Sequence, residues 1–104
     1  MLNTRFHTPV MLQEVLEHLD LRPGKLVVDA TLGTAGHAEN ILERIIPGGG
    51  LIGIDRDNES LAIARERLSK FGSAVKFVHG NFVDLDTLLE NLEIKKVDGV
   101  LFDL

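Results

Sequence analysis

Leu26-Val-Val-Asp-Ala-Thr-Leu-Gly-Thr-Ala-Gly-His37 decides how this chain is read. The stretch opens on a short apolar run, closes that run on the carboxylate of Asp29, turns through Gly33 and Gly36, and then enters a helical pattern. Strand, tight loop and helix follow from that order. A second apolar run, Leu51 to Asp55, also ends in a carboxylate, so the two runs outline a βαβ unit with an acid at the tip of its second strand. Nucleotide-like ligands bind such units. Small residues let backbone N–H groups come close at a helix N-terminus, and an acid on the neighbouring strand accepts both ribose hydroxyls.

Charge selects among those ligands. A pyrophosphate requires donors and cations, but the first strand ends in Asp29 and the segment from Ala30 to Glu39 contains no Lys or Arg. A carboxylate at this place suits the sulfonium and ammonium of S-adenosylmethionine, since opposite charges about 4 Å apart attract by roughly 4 kcal/mol at an effective dielectric near 20, before desolvation. The loop Gly33-Thr-Ala-Gly36 also falls short of the full G-x-G-x-x-G pattern. A methyl donor therefore ranks above a nicotinamide dinucleotide. A nicotinamide-dependent oxidoreductase domain and a non-catalytic ligand-binding fragment stand as the alternatives.

Outward from the loop, Ala38, Ile41, Leu42 and Ile45 recur at helical spacing until Pro47-Gly-Gly-Gly50 stops them. Asp57-Asn58 caps a further helix carrying Leu61, Ala64, Leu68 and Phe71, with Gly72 at its C-terminus. Val75 to His79 reads as a third strand, Gly80-Asn-Phe82 as a turn, Leu85, Leu88, Leu89 and Leu92 as a helical stripe, and Val97 to Leu104 as a fourth strand. Towards the N-terminus, Thr8-Pro9 starts an amphipathic helix with Met11, Leu12, Val15, Leu16 and Leu19 on one stripe. Strand patterns interleaved with helices imply a parallel sheet with right-handed crossovers, an α/β fold in which each strand is buried on both faces. The last strand, Val97 to Leu104, is too apolar for an exposed tail, so the chain is expected to be truncated.

Composition sets the outer bounds. With 104 residues, 44% hydrophobic and 26% charged, the chain is one domain of ordinary globular character. It has no cysteine, and so neither a disulfide framework nor thiolate chemistry. The N-terminus has no signal-type region and there is no apolar span of roughly 18 residues, so a cytoplasmic location and no membrane partner are expected. The net charge of −5 argues against free-standing nucleic-acid binding, which rests on phosphate neutralisation by Lys and Arg. Lys95-Lys96, the one adjacent basic pair, reads as a solvated loop. His7, His18 and His79 have no second ligand at metal spacing, and no metal site is expected.

With its motifs placed, the chain resembles the N-terminal portion of the bacterial 16S ribosomal RNA (cytosine-N4)-methyltransferase family, also called MraW. The blocks that carry the resemblance are His7 to Glu14, Asp29 to His37, Gly53 to Asp57, Gly80 to Phe82 and Val97 to Leu104, in the family's order and spacing. The resemblance implies the N-terminal, cofactor-binding half of a Rossmann-like methyltransferase fold over 1–104, with strand order 3-2-1-4. The rest of the catalytic domain and an inserted RNA-recognition domain lie outside. It implies S-adenosylmethionine as cofactor and 16S ribosomal RNA, or the small ribosomal subunit, as partner of the whole enzyme. The family loop reads Gly-x-Gly-Gly-His, and Ala35 stands at its middle glycine. Alanine is strained at positive φ, so residue 35 is expected at negative φ.

The site residues follow. Gly33, Ala35, Gly36 and His37 are expected to contact the methionine part of the donor through their backbone, and Asp55 to take the ribose hydroxyls. Phe82 is expected to contact adenine through its flat apolar side chain or adjoining backbone. Asp103, by resemblance, is the donor-binding acid at the catalytic rim and the one catalytic candidate. Asp29 supports the loop or approaches the ammonium group, and ranks below Asp55.

Overall fold

The computed structural model of the chain describes residues 20–33 and 35–101. The amphipathic stretch after Thr8 and the acid Asp103 lie outside the described residues. Strand β1 is Leu26–Asp29, helix α1 Gly36–Ile45, strand β2 Gly50–Asp55 and helix α2 Asn58–Arg67. Strand β3 is Val75–His79, helix α3 Leu85–Asn91 and strand β4 Gly99–Leu101. The four strands are parallel, in the order β3-β2-β1-β4. The α/β class is as the sequence pattern led us to expect, and the 3-2-1-4 order is as the family resemblance implied.

Alternation along the strands explains why the apolar runs are continuous. Val27 and Leu51 point to one face, where they join Ile41, Leu42 and Ile45 of α1 and Leu61, Ala64 and Leu68 at α2. Val28, Ile52 and Ile54 point to the other, under Leu85, Leu88 and Leu89 of α3. A parallel strand covered on both sides needs apolar residues at every position, which is what β1 and β2 supply. Removing a side chain of this size from water is worth roughly 1.5–3 kcal/mol, so the two faces together fix the register.

Several junctions are tighter than the sequence alone conveys. Asp98 extends the β1–β4 ladder, since its backbone N–H donates to Leu26 O at 2.7 Å and its carboxylate accepts from Leu26 N at 2.8 Å. Gly49 sits where α1 turns into β2. A Cβ there would press on the Ile45 carbonyl and come within 2.6 Å of the Lys25 carbonyl. Helix α2 ends at Arg67, before the point its apolar stripe suggests, and the chain continues as a 3₁₀ turn over Ser69–Ala74. The tighter winding keeps Leu68 in the core and Phe71 packed against it, and Gly72, at φ 55, takes the reversal in place of a simple helix C-terminus.

Candidate functional site

The loop between β1 and α1 is stapled to the end of β2. Leu32 N donates to Ile54 O at 2.8 Å, and Gly33 N donates to the Asp55 carboxylate at 2.8 Å. Leu32 is buried and fills the space over Gly53, where a Cβ would come within 2.7 Å of the leucine side chain. Gly53 therefore allows the loop to lie down on the sheet. Ala35 closes the turn, its N–H donating to Leu32 O at 3.1 Å and its carbonyl accepting from Glu39 N at 3.1 Å.

Ala35 corrects the expected geometry. Its φ is 77° and its ψ 22°, a left-handed conformation directly before α1, and not the negative φ its side chain prefers. The methyl group is buried in the core beneath α1. Left-handed geometry costs an alanine roughly 1–2 kcal/mol, and burying a methyl returns about 0.8 kcal/mol, so packing offsets much of the strain. The family pattern has glycine at this place, where the same φ carries no such penalty.

Asp55 stands at the centre of the site. One carboxylate oxygen accepts from Gly33 N, and the other accepts from Asp57 N, also at 2.8 Å. Asp57 in turn caps α2, accepting from Glu59 N at 3.0 Å. A single side chain thus ties the glycine loop, the tip of β2 and the approach to α2. The sequence placed Asp55 beside the ligand but gave no sign that it braces the loop; the bond to Gly33 spans two strands and has no local signature.

A cavity of about 320 Å³ opens beside this carboxylate at the carboxyl ends of the strands. Ala30 and Thr31 line it after β1, Asp55 and Arg56 at the end of β2, and Gly80–Phe82 after β3. Asp55 and Phe82 are brought together as expected. Gly33 reaches the wall only through its bond to Asp55, while Ala35, Gly36 and His37 lie at the start of α1 and are not among the lining residues. Ala30, Thr31, Arg56, Gly80 and Asn81 were missed. Each lies within two residues of the end of a strand, and ligands of open α/β sheets bind outside those ends, so position relative to the strands was the available signal. Asp29 is buried, with its carboxylate accepting from Thr31 N at 3.3 Å, and so supports the start of the loop.

On the outer surface of α1, Glu39 meets Lys70 at 3.2 Å and Arg67 at 3.4 Å. The hydrogen bond from Lys70, reinforced by the charges of both cations, holds the Glu39 carboxyl below its ordinary value. Among the described residues no group of three or more His, Cys, Asp or Glu could hold a metal, and no helix is long and apolar enough to cross a membrane.

The sequence matches the model of the MraW methylase family over residues 4–104. The chain belongs to that family. Among curated MraW-type relatives, ribosomal RNA small subunit methyltransferase H of Pelobacter propionicus is 52% identical over 99 residues, covering 94% of this chain and 32% of the relative. The protein of the same name from Dictyoglomus thermophilum is 49% identical over 98 residues, covering 94% of this chain and 33% of the relative. The chain therefore spans about a third of the length of the curated relatives it matches. Solved structures agree on the fold. TrmN from Thermus thermophilus superposes with a TM-score of 0.72 at 28% identity, covering 91% of this chain and 27% of that one. Aeropyrum pernix fibrillarin, solved with natively bound S-adenosyl-L-methionine, superposes with a TM-score of 0.67 at 14% identity, covering 78% of this chain and 34% of that one. The MraW chain thus carries a Rossmann-like methyltransferase fold over its four described strands.

Proposed function

We propose that the cavity at the carboxyl ends of β1, β2 and β3 is the site of S-adenosylmethionine. On this reading residues 1–104 are the donor-binding part of an enzyme that methylates the exocyclic N4 amine of a cytidine in 16S ribosomal RNA or the small ribosomal subunit. The observation that carries the reading is the Asp55 carboxylate. It stands on the cavity wall with each oxygen accepting one backbone N–H, and each oxygen retains a further lone pair for a ribose hydroxyl. The volume of about 320 Å³ falls at the small end of the roughly 300–1,000 Å³ range of small-molecule sites, which suits the nucleoside end of the donor. Phe82 offers an apolar face to adenine. The backbone of Gly33, Gly36 and His37 is assigned to the methionine end, while Ala35, buried and with its N–H and carbonyl both bonded within the turn, shapes the loop that presents them. Asp103 is assigned to the rim next to the acceptor.

When bound, S-adenosylmethionine supplies an electrophilic methyl group. The chain's own residues bind and orient it. The lone pair of the cytosine amine is delocalised into the ring, so the contribution of the protein is positioning and electrostatics, with the base splayed from its neighbours. RNA recognition and acceptor polarisation are assigned to the length of the relatives that this chain does not span. The charge of −5 accords with that division, because RNA affinity depends on cationic residues. No metal takes part, and a cytoplasmic location follows from the substrate. Family membership and relatives named as ribosomal RNA methyltransferases support the assignment.

Calorimetric titration of the protein with S-adenosylmethionine and, separately, NADH tests the cofactor. Binding of the methyl donor and not of NADH is expected, and the reverse result refutes the reading. Radiolabelled methyl transfer to small-subunit RNA by a chain of the relatives' full length tests the reaction, and label on any site other than a cytosine amine refutes the substrate.

A further inference from the structure

Resting on the donor reading above, we propose that His79 is a positioning residue for the donor ribose, holding the Arg56–Asp57 peptide so that its N–H fixes the Asp55 carboxylate. His79 ends β3 and is the register partner of Asp55 across the β2–β3 ladder. Its Nε2 lies 3.0 Å from the Arg56 carbonyl oxygen. A carbonyl can only accept, so Nε2 carries the ring proton and donates. On the other side of the same peptide, Asp57 N donates to the Asp55 carboxylate at 2.8 Å. The peptide is trans and planar, so its C=O and N–H point in opposite directions and pinning one aims the other. The imidazole, the peptide and the carboxylate thus form one chain of hydrogen bonds, in which each bond polarises the next.

Joining the strand tips does not account for the ring. That task falls to the backbone, where Gly80 N donates to Asp55 O at 3.0 Å. The His79 ring reaches one residue further, to the carbonyl that follows the ribose acid, beside a cavity whose wall includes both Asp55 and Arg56. One oxygen of the Asp55 carboxylate is held by Gly33 N–H, which the stapled loop already fixes. The other is held by Asp57 N–H, the exposed donor of the two and open to competition from water, and its direction is what the imidazole secures. Two acceptors aimed at vicinal hydroxyls need a carboxylate plane set within a narrow range, since a hydrogen bond weakens steeply as it bends. His79 is not among the residues that line the cavity, so it acts on the ribose through Asp55.

The test is calorimetric binding of S-adenosylhomocysteine and of its 2′,3′-dideoxy analogue, which has no ribose hydroxyl, to the full chain and to His79→Leu, His79→Ala and His79→Gln. Leucine and alanine lose the donor, whereas glutamine keeps an N–H on a side chain of similar reach. His79 is exposed, so a cooperative melting curve is expected of all three. The wild-type protein is expected to bind the dideoxy analogue at least about 10-fold more weakly than the parent, the worth of hydrogen bonds to a charged acceptor. His79→Leu and His79→Ala are expected to lose about 3- to 10-fold in affinity for S-adenosylhomocysteine and less than about 2-fold for the dideoxy analogue, so that the hydroxyl penalty shrinks, and His79→Gln to restore it. A hydroxyl penalty of the same size with and without the imidazole, or a glutamine variant that behaves as leucine does, overturns the role of His79 and leaves the donor reading standing. Failure of the leucine and alanine variants to fold makes the ring a part of the fold and overturns that role equally. Failure of the wild type to bind S-adenosylhomocysteine, or to distinguish it from the dideoxy analogue, overturns the donor reading itself, and the inference with it.

Discussion

Replacing Asp55 by alanine removes two hydrogen bonds and, on the proposed reading, one ligand contact, and the exposure of each donor sets what its bond is worth. The N–H of Asp57 is exposed, so water takes the place of the carboxylate and the loss is about 0.5 kcal/mol. The N–H of Gly33 is partly buried and accepted at 2.8 Å, and leaving it without an acceptor costs about 1–2 kcal/mol. Together these give a loss of about 2 kcal/mol, or a fall in Tm of roughly 8–16 °C for a domain of this size. Donor affinity falls as well, since hydrogen bonds to a charged acceptor are worth about 1.5–3 kcal/mol, which is roughly 10- to 150-fold. Asp55→Asn keeps one accepting oxygen and lands between the two in stability. Urea unfolding and calorimetric titration of S-adenosylhomocysteine read the two effects separately. An alanine variant that melts within about 2 °C of the parent shows that the carboxylate does not brace the loop. One that melts low yet binds the donor unchanged shows that it braces and nothing more.

Three other outcomes are expected. Ala35→Gly is expected to leave stability within about 1 kcal/mol, because release of left-handed strain is opposed by the lost methyl and by a freer unfolded chain, whereas Ala35→Val should cost more than about 2 kcal/mol. Urea denaturation of both variants decides, and a well-tolerated valine refutes the left-handed assignment. Gly49→Ala presses a methyl on the carbonyls of Ile45 and Lys25, neither of which is a side chain that can swing away, so it should destabilise by at least about 2 kcal/mol in the same assay. Lowering the pH should release the Glu39 bridge to Lys70 and Arg67. The carboxyl is held lower in the folded state than in the unfolded one, so its contribution is complete above the unfolded value near 4.5 and is lost as pH falls through the lower folded value. Glu39→Gln should remove that part of the acid dependence, and an unchanged pH profile of Tm speaks against it.

How far the residues alone lead depends on the range of the interaction concerned. β3 was read at its observed bounds, Val75 to His79, because five residues between turn signals and a buried sheet leave little latitude. Capping by Asp57 was equally plain, since the side chain and the N–H of Glu59 lie two residues apart. The C-terminus of α2 was not, because an apolar stripe continues through a 3₁₀ turn as readily as through a helix and only Gly72's φ tells them apart. Of the residues that line the cavity, Asp55 and Phe82 were read from their places at the tip of one strand and after another, while Asn81 passed as a turn residue until its neighbours in space were known.

Sequence was sufficient for the α/β class, the parallel strands and the acid at the tip of β2, because alternating burial, glycine punctuation and capping act over a few residues and leave their mark on composition. Tertiary structure decided the rest. The left-handed φ of Ala35 goes with a turn in which Leu32 lies over Gly53, Gly33 donates to Asp55 and Ala35 donates back to Leu32 before α1 begins. The double duty of Asp55 arises because parallel pairing of β1 with β2 sets the end of one strand beside the loop that leaves the other. Such contacts join residues far apart in the chain, and no local preference encodes them.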